Sequence, residues 1–395
     1  MAMTDPEPLP PAGAARHMQH YLSTARTATQ SLADALVMRI RSGGPISFAE
    51  FMEAALYDSQ QGYYASTLHQ IGRKGDFFTS VSVGTLFGQL LARRFLAHHR
   101  DLGRPPQWRI IECGAHDGIL AADVLDAIEA LDPEAFATLE YAIVEPLASL
   151  RDAQHRTLAR HGGRFVIIAD SAALAATPLP GIAFGNEVLD ALPCHVVEQR
   201  GGTWTECLVD HDPQLGWIWT AGSEVNETLA AMLPVADAVP DGWRTEVRDS
   251  FPAFFAPLVR CLDPAHMIWI DYGFSREEFH NIARKDGTLR AYRQHRVVTD
   301  PLQHPGEHDL TAHVDFTAVA EAAGALGGRV TWLSSQGSWL TQVAQRWLMA
   351  MEDRPDAKML RQFQTLTHPA HLGRAFQVIE LSWAPVASTD HCIRH

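Results

Sequence analysis

The sequence predicts an α/β protein built on an open, mostly parallel sheet of seven strands, and three observations carry that prediction. From residue 108 onward, short apolar runs alternate with helical stretches, the mark of a sheet wound with helices. The runs are nearly continuous in Val and Ile, as strands buried on both faces require. Their ends carry acids and glycines, and in such sheets a ligand sits beyond the carboxyl ends of the strands.

Taken in order, residues 1–13 are rich in Pro and Ala and read as a disordered tail. Residues 14–107 form a helical N-terminal region. There, "TQSLADALVMRIRSGG" has apolar spacing and a Gly-Gly stop, and Ser47 then caps a second helix with Glu50 three residues on. The core is expected over 108–193 and 261–385, with strands in "WRIIECGA", "EYAIVEP", "RFVIIAD", "GIAFGNE", "HMIWIDYG", "RVTWLSS" and "AFQVIELSW". Residues 194–260 interrupt it. They alternate like a β-hairpin around Gly201-Gly202 and continue through a polar, Pro-bearing segment, so they read as an insertion on the sheet. Residues 386–395 are a tail.

Composition narrows the function classes. A chain of 395 residues with 46% hydrophobic and 20% charged residues is an ordinary globular protein. Its formal charge of −14 argues against nucleic acid as the main ligand. Cys113, Cys194, Cys207, Cys261 and Cys392 are odd in number and widely separated, with no CxxC pair, which fits a reducing compartment. No apolar run is long enough for membrane insertion, and the start lacks the apolar region of a secretory signal. Residues 15–42 are nearly free of acids and faintly resemble a mitochondrial presequence, but Asp5 and Glu7 precede them and an ordinary first helix is the simpler reading. The expected location is cytoplasmic for a bacterial source and the mitochondrial matrix for a eukaryotic one.

The chemistry gathers at strand ends. After the first strand come Glu112, Gly114, His116, Asp117 and Gly118, two glycines of a nucleotide-cradling turn with a histidine midway. His tolerates positive φ better than most residues, so the turn can form. Glu145 closes the second strand, 27 residues past Gly118, where a carboxylate accepts hydrogen bonds from both ribose hydroxyls of an adenosine. Asp170 ends the third and either reaches an adenine amino group or caps the next helix. The fourth ends in "GNEVLDALP". Asn186, Glu187 and Asp190 there put an amide and two acids where a substrate would meet the cofactor, the acids sharing a face if a helical turn begins there.

Two stretches are harder to place. "RKGDFFTSVSVGTLFG" sets Gly75, Asp76, Thr79 and Ser80 ahead of a helix that could fold over the site. Residues 295–316 gather His295, His304, Glu307, His308, Asp309, His313 and Asp315. They lack the helical ligand spacing of a zinc site, so no metal is expected, and Asp315 reads as a helix cap.

These stretches in this order, GDFFTS, ExGxxxG, NEVLDALP, IDYG, PGEHDLTAHVDF and QGSWL, resemble the MidA family from about residue 28 to residue 383. That family comprises bacterial proteins and a mitochondrial complex I assembly factor that methylates an arginine. The resemblance implies a class I, Rossmann-like methyltransferase fold that uses S-adenosylmethionine and yields S-adenosylhomocysteine. It implies a cofactor site at Gly75, Asp76, Phe77, Thr79, Glu112, Gly114, His116, Gly118, Glu145, Asp170 and Asn186, with Asn186, Glu187 and Asp190 as catalytic residues. The chain departs from the family at two places. ECGAHDGIL stands where the family has ELGPGRGTL, and VSVGT where it has PEISQ, losing an acid at Ser82 and a glutamine at Thr85. The resemblance implies a protein side chain such as arginine as methyl acceptor, with a changed substrate also compatible with the altered loops. A small-molecule O- or N-acceptor, for which Trp204, Trp217 and Trp219 would supply a pocket, and a non-catalytic scaffold are the alternatives. A homodimer is compatible with either reading.

Overall fold

The computed structural model describes residues 31–66, 79–293, 296–353 and 355–383. In chain order its principal elements begin with α1 (Leu32–Gly43), β1 (Ile46–Ser47), α2 (Phe48–Tyr57), α3 (Leu86–Asp101), β2 (Trp108–Cys113), α4 (Ile119–Leu131), β3 (Leu139–Val144), α5 (Ala148–Thr157), β4 (Phe165–Ile168) and β5 (Leu179–Asn186). Next come β6 (His195–Arg200), β7 (Thr203–Asp212), β8 (Gly216–Glu224), β9 (Arg244–Val247), α6 (Phe251–Arg260) and β10 (Leu262–Phe274). The remainder is β11 (Arg290–Arg293), β12 (Arg296–Val298), β13 (Asp309–Thr311), β14 (Val314–Asp315), α7 (Phe316–Ala325), β15 (Arg329–Ser335), α8 (Gln336–Val343), α9 (Gln345–Asp353), α10 (Ala357–Thr367) and β16 (Phe376–Ser382).

All seven expected strands are present, in the order β15-β16-β10-β5-β2-β3-β4, with β14 pairing on the end of β10. Pairings from β10 through β4 are parallel, and β16 runs antiparallel to both β10 and β15. The chain leaves β2 in one direction to build β3 and β4 and crosses to the other side for β5. The crevice at the carboxyl ends of β2 and β5 is therefore the switch point where such sheets bind ligands. Ser47 caps α2 in a full capping box with Glu50, and Asp315 caps α7 by accepting from Thr317 and Ala318 N–H, both as the sequence indicates.

The excursion at 194–260 is larger than a hairpin. β6 and β7 do turn at Gly201-Gly202, where φ values of 56° and 86° match a two-residue hairpin loop. β8 and β9 then join them, and β1 from the N-terminal region adds a fifth strand, giving a separate antiparallel sheet. A third, three-stranded sheet of β11, β12 and β13 lies inside the expected core segment. Boundaries at 107 and 260 divide continuous packing: Leu90, Leu91 and Phe95 of α3 and Phe251, Phe255 and Leu258 of α6 are buried in the core layers around the main sheet. A helix covering a sheet is inseparable from it, because each buries the other's apolar face.

Trp204, Trp217 and Trp219 pack structure rather than line a pocket. Trp217 meets Phe51 edge-on at 5.6 Å and Trp219 leans on Phe48 at 5.2 Å, fastening the second sheet to α2. Trp204 packs against Trp243. This removes the feature that favoured an apolar small-molecule pocket in the insertion.

Candidate active site

A cavity of about 1790 Å³ opens at the switch point. One part of its wall is the loop after β2, carrying Glu112, Gly114, Ala115, His116 and Asp117. Another is Glu145 with Pro146, and a third is the loop after β5 with Asn186, Glu187, Val188 and Asp190. The N-terminal helices and the third sheet supply Glu53, Tyr57, Tyr64 and Asp309.

The turn after β2 keeps its shape with histidine inside it. Gly114, His116 and Gly118 have φ of 69°, 47° and 82°, and Gly118 N–H bonds Ala115 O at 2.8 Å. Gly114 is needed for space as well as torsion, since a Cβ there would stand 2.5 Å from Val188 Cγ2. Beneath the turn, Gln154 Nε2 donates to His116 O at 2.9 Å and to Glu145 Oε2 at 3.2 Å, while Leu147 N–H holds Oε1 at 3.0 Å. One amide thus fixes the glycine turn and the acid to each other. Burial pushes Glu145 up to about 7, against the pull of those donors. Glu112 bonds the Tyr141 hydroxyl at 2.6 Å, and burial pushes it up to about 8.

The loop after β5 is not the helical turn that the acid spacing allowed. Residues 187–192 form bends and turns, with Glu187 at φ 56°. Asn186 Nδ2 donates to Glu187 Oε1 at 2.8 Å. The Tyr272 hydroxyl donates to Glu187 Oε2 at 3.0 Å, and the Ser80 backbone also donates to this carboxylate. Burial and the nearby Asp190 push Glu187 up to about 8. Asp190 rises to about 6 through burial, moderated by the Arg248 guanidinium.

Sequence reasoning missed what shapes this loop. Asp271 of the IDYG stretch is fully buried, and its Oδ2 accepts the N–H groups of Val188, Leu189 and Asp190 at 3.1, 2.8 and 3.2 Å. An acid at the end of an apolar strand was the available signal; its partners, 81 to 83 residues away, were not readable. Arg248, 5% exposed and inside the supposed insertion, donates to Asp190 O, Leu192 O, Ala312 O and His313 O at 2.6 to 2.9 Å. Tyr57 adds a hydroxyl bond to Ala191 O at 3.0 Å.

The remaining expected residues divide. Thr79 lines the cavity, and Ser80 bonds Gln336 of the QGSWL stretch at 3.0 Å, so two distant motifs meet beside it. Gly75, Asp76 and Phe77 lie outside the described residues. Asp170 is exposed and outside the cavity wall, where its Oδ1 takes Ala172 N–H at 2.7 Å at the start of the next helical turn. Among the described residues no group of three or more His, Cys, Asp or Glu could hold a metal.

Two buried polar atoms on the cavity wall have no partner among the described residues, His116 Nε2 and Asn186 Oδ1. A ring nitrogen that can donate and an amide oxygen that accepts complement the carboxylate and ammonium of an amino-acid group, while Glu145 complements ribose hydroxyls. The donor set therefore fits S-adenosylmethionine.

A seven-stranded sheet with its last strand reversed, and this set of groups at its switch point, define an S-adenosylmethionine-dependent methyltransferase. Residues 90–334 match the model of the family described as "Putative S-adenosyl-L-methionine-dependent methyltransferase", and the chain belongs to that family. It is similar to the mitochondrial protein arginine methyltransferase NDUFAF7 homolog of Drosophila melanogaster, at 28% identity over 91% of this chain and 86% of that one. The mitochondrial protein arginine methyltransferase NDUFAF7 of Mus musculus is 27% identical over 88% and 83%. A crystal structure from Burkholderia thailandensis with S-adenosyl-homocysteine bound superposes with TM-score 0.78 at 30% identity, over 95% of both chains.

Proposed function

We propose that this methyltransferase modifies an arginine side chain of a protein. Its relatives named as protein arginine methyltransferases support that acceptor, and the observation that carries it is the pair of carboxylates, half-buried Glu187 and buried Asp190, on one loop of the cavity wall. Arg248, the cation behind them, spends its donors on four backbone carbonyls, so the acids remain available to an incoming guanidinium. Compartment follows source: the curated relatives are named mitochondrial, and we propose the matrix for a eukaryotic source and the cytoplasm for a bacterial one.

Glu145 and Glu112, the Gly114–Gly118 turn, His116, Thr79 and Asn186 would hold the cofactor, which would supply a sulfonium methyl group. Asp190 grips the guanidinium, and Asn186 and Tyr272 keep Glu187 aimed at the nitrogen that is to be alkylated. Glu187 would take the proton that the nitrogen loses as its bond to the methyl carbon forms and the methyl–sulfur bond breaks to leave a neutral thioether; its affinity for protons, raised to about 8, suits a base working near neutrality. Asp271 and Arg248 hold the loop still, which matters because an in-line displacement is sensitive to misplacement of about 1 Å.

The test is transfer of labelled methyl from S-adenosylmethionine to arginine-containing peptides. Asp190→Ala is expected to bind S-adenosylhomocysteine as the parent does and to lower kcat at least a hundredfold. Equal loss of cofactor affinity and turnover would show that Asp190 is not an acceptor-side residue.

A further inference from the structure

The cavity continues past Asp190 along α2. Tyr57, whose hydroxyl holds Ala191 O, forms an aromatic pair with Tyr64 at 5.5 Å, and both rings line the wall. One helical turn earlier on the same face, Glu53 also lines it. Glu53 is partly buried and has no hydrogen-bond or ion-pair partner among the described residues. Arg39, which also lines the cavity, is engaged with Glu50 at 3.4 Å. Burial and Glu50 push Glu53 up to about 7, as expected of an acid held away from any cation. The tyrosine faces between Glu53 and Asp190 suit the passage of a cation, and an anion left unmatched at the far end suits its arrest.

Resting on the arginine reading above, we propose that Glu53 is a specificity-determining residue that receives a second cationic side chain of the acceptor. Glu53 stands one helical turn, about 5 Å, before Tyr57, whose hydroxyl reaches Ala191 O beside Asp190, a span that an extended peptide rising about 3.3 Å per residue covers in about three residues. The preferred acceptor thus carries a lysine or arginine about three residues from the arginine that is methylated.

Two synthetic peptides test this with the full chain: a Gly/Ser peptide holding one arginine, and the same peptide with lysine three residues to either side. Methyl transfer and, with S-adenosylhomocysteine present, fluorescence-anisotropy binding are measured. The parent is expected to favour the dibasic peptide about tenfold in kcat/KM through KM, and Glu53→Gln to bring that ratio near one. Glu53→Lys should invert it, showing that charge and not shape is read. An intact preference in Glu53→Gln, or no preference in a parent that methylates both peptides, overturns this proposal alone. A parent that neither binds nor methylates either peptide overturns the arginine reading and this proposal with it.

Discussion

Replacing Gly114 by alanine tests the claim that two loops of the site are packed against each other. The backbone there has φ 69°, and placing an L side chain in the left-handed region costs about 1–2 kcal/mol. The new Cβ would also stand 2.5 Å from Val188 Cγ2, an overlap with the loop that carries Glu187 and Asp190. Relieving such overpacking costs about 1–3 kcal/mol, so Gly114→Ala should destabilise by about 2–5 kcal/mol in all. Val188→Ala removes the obstructing methyl, and Gly114→Ala in that background should cost only the torsional part. The coupling energy from the double-mutant cycle, read from urea midpoints at constant m, is then about 1–3 kcal/mol. S-adenosylhomocysteine affinity should follow the same cycle, because both residues line the cavity. A single-mutant cost below about 1 kcal/mol, or no recovery with Val188→Ala, would refute the described contact.

Glu145 gives a pH signature. Its folded-state pKa, about 7, lies above the usual carboxylate value, and ribose hydroxyls bond best to the anion. Affinity for S-adenosylhomocysteine should therefore rise from pH 6 to pH 7 and level off above pH 8, and Glu145→Gln should bind weakly without that slope; an identical slope in the variant would remove the assignment. The same elevated pKa values, at Glu145, Glu112 and Glu187, contribute stability that is fully present below pH 4.5 and lost as pH rises through 7 to 8. The Tm of the cofactor-free protein should accordingly fall between pH 5 and pH 8, and a flat profile would contradict their burial as acids. His116→Gly should gain about 0.5–1 kcal/mol in stability from its positive φ but weaken S-adenosylhomocysteine binding, because it removes the ring nitrogen that faces the cofactor; unchanged affinity would show that the imidazole does not contact the ligand.

The main sheet was legible because its inner strands, buried on both faces, are written as unbroken apolar runs; the edge strands β4 and β15 carry similar runs although they are half-buried or exposed, and all seven runs became strands. β1 was not legible, being two residues long, nor were β11 to β13, which are short and partly exposed, so no apolar run announces them. At the site, residue type was readable and conformation was not. Glu187 and Asp190 were recognisable as strand-end acids, but their i, i+3 spacing suggested a helix where the chain forms bends and turns, and Asp271, which holds three successive N–H groups of that loop, lies too far along the chain to be read as its partner. Asp170 was ambiguous for the opposite reason: a strand-end acid looks the same whether it faces a ligand or caps the next turn.

Arg248 ties the separate antiparallel sheet to chemistry it does not itself perform. Its guanidinium grasps the turn bearing Asp190 from one side and the 312–313 segment from the other. The excursion at 194–260 therefore cannot be trimmed to give a minimal enzyme, even though none of its own strands lines the cleft. A force or a binding partner acting on that sheet would reach the reaction centre both through Arg248 and through α2, whose Tyr57 holds the same turn, so the part of the molecule that looks most like an appendage is also a handle on its activity.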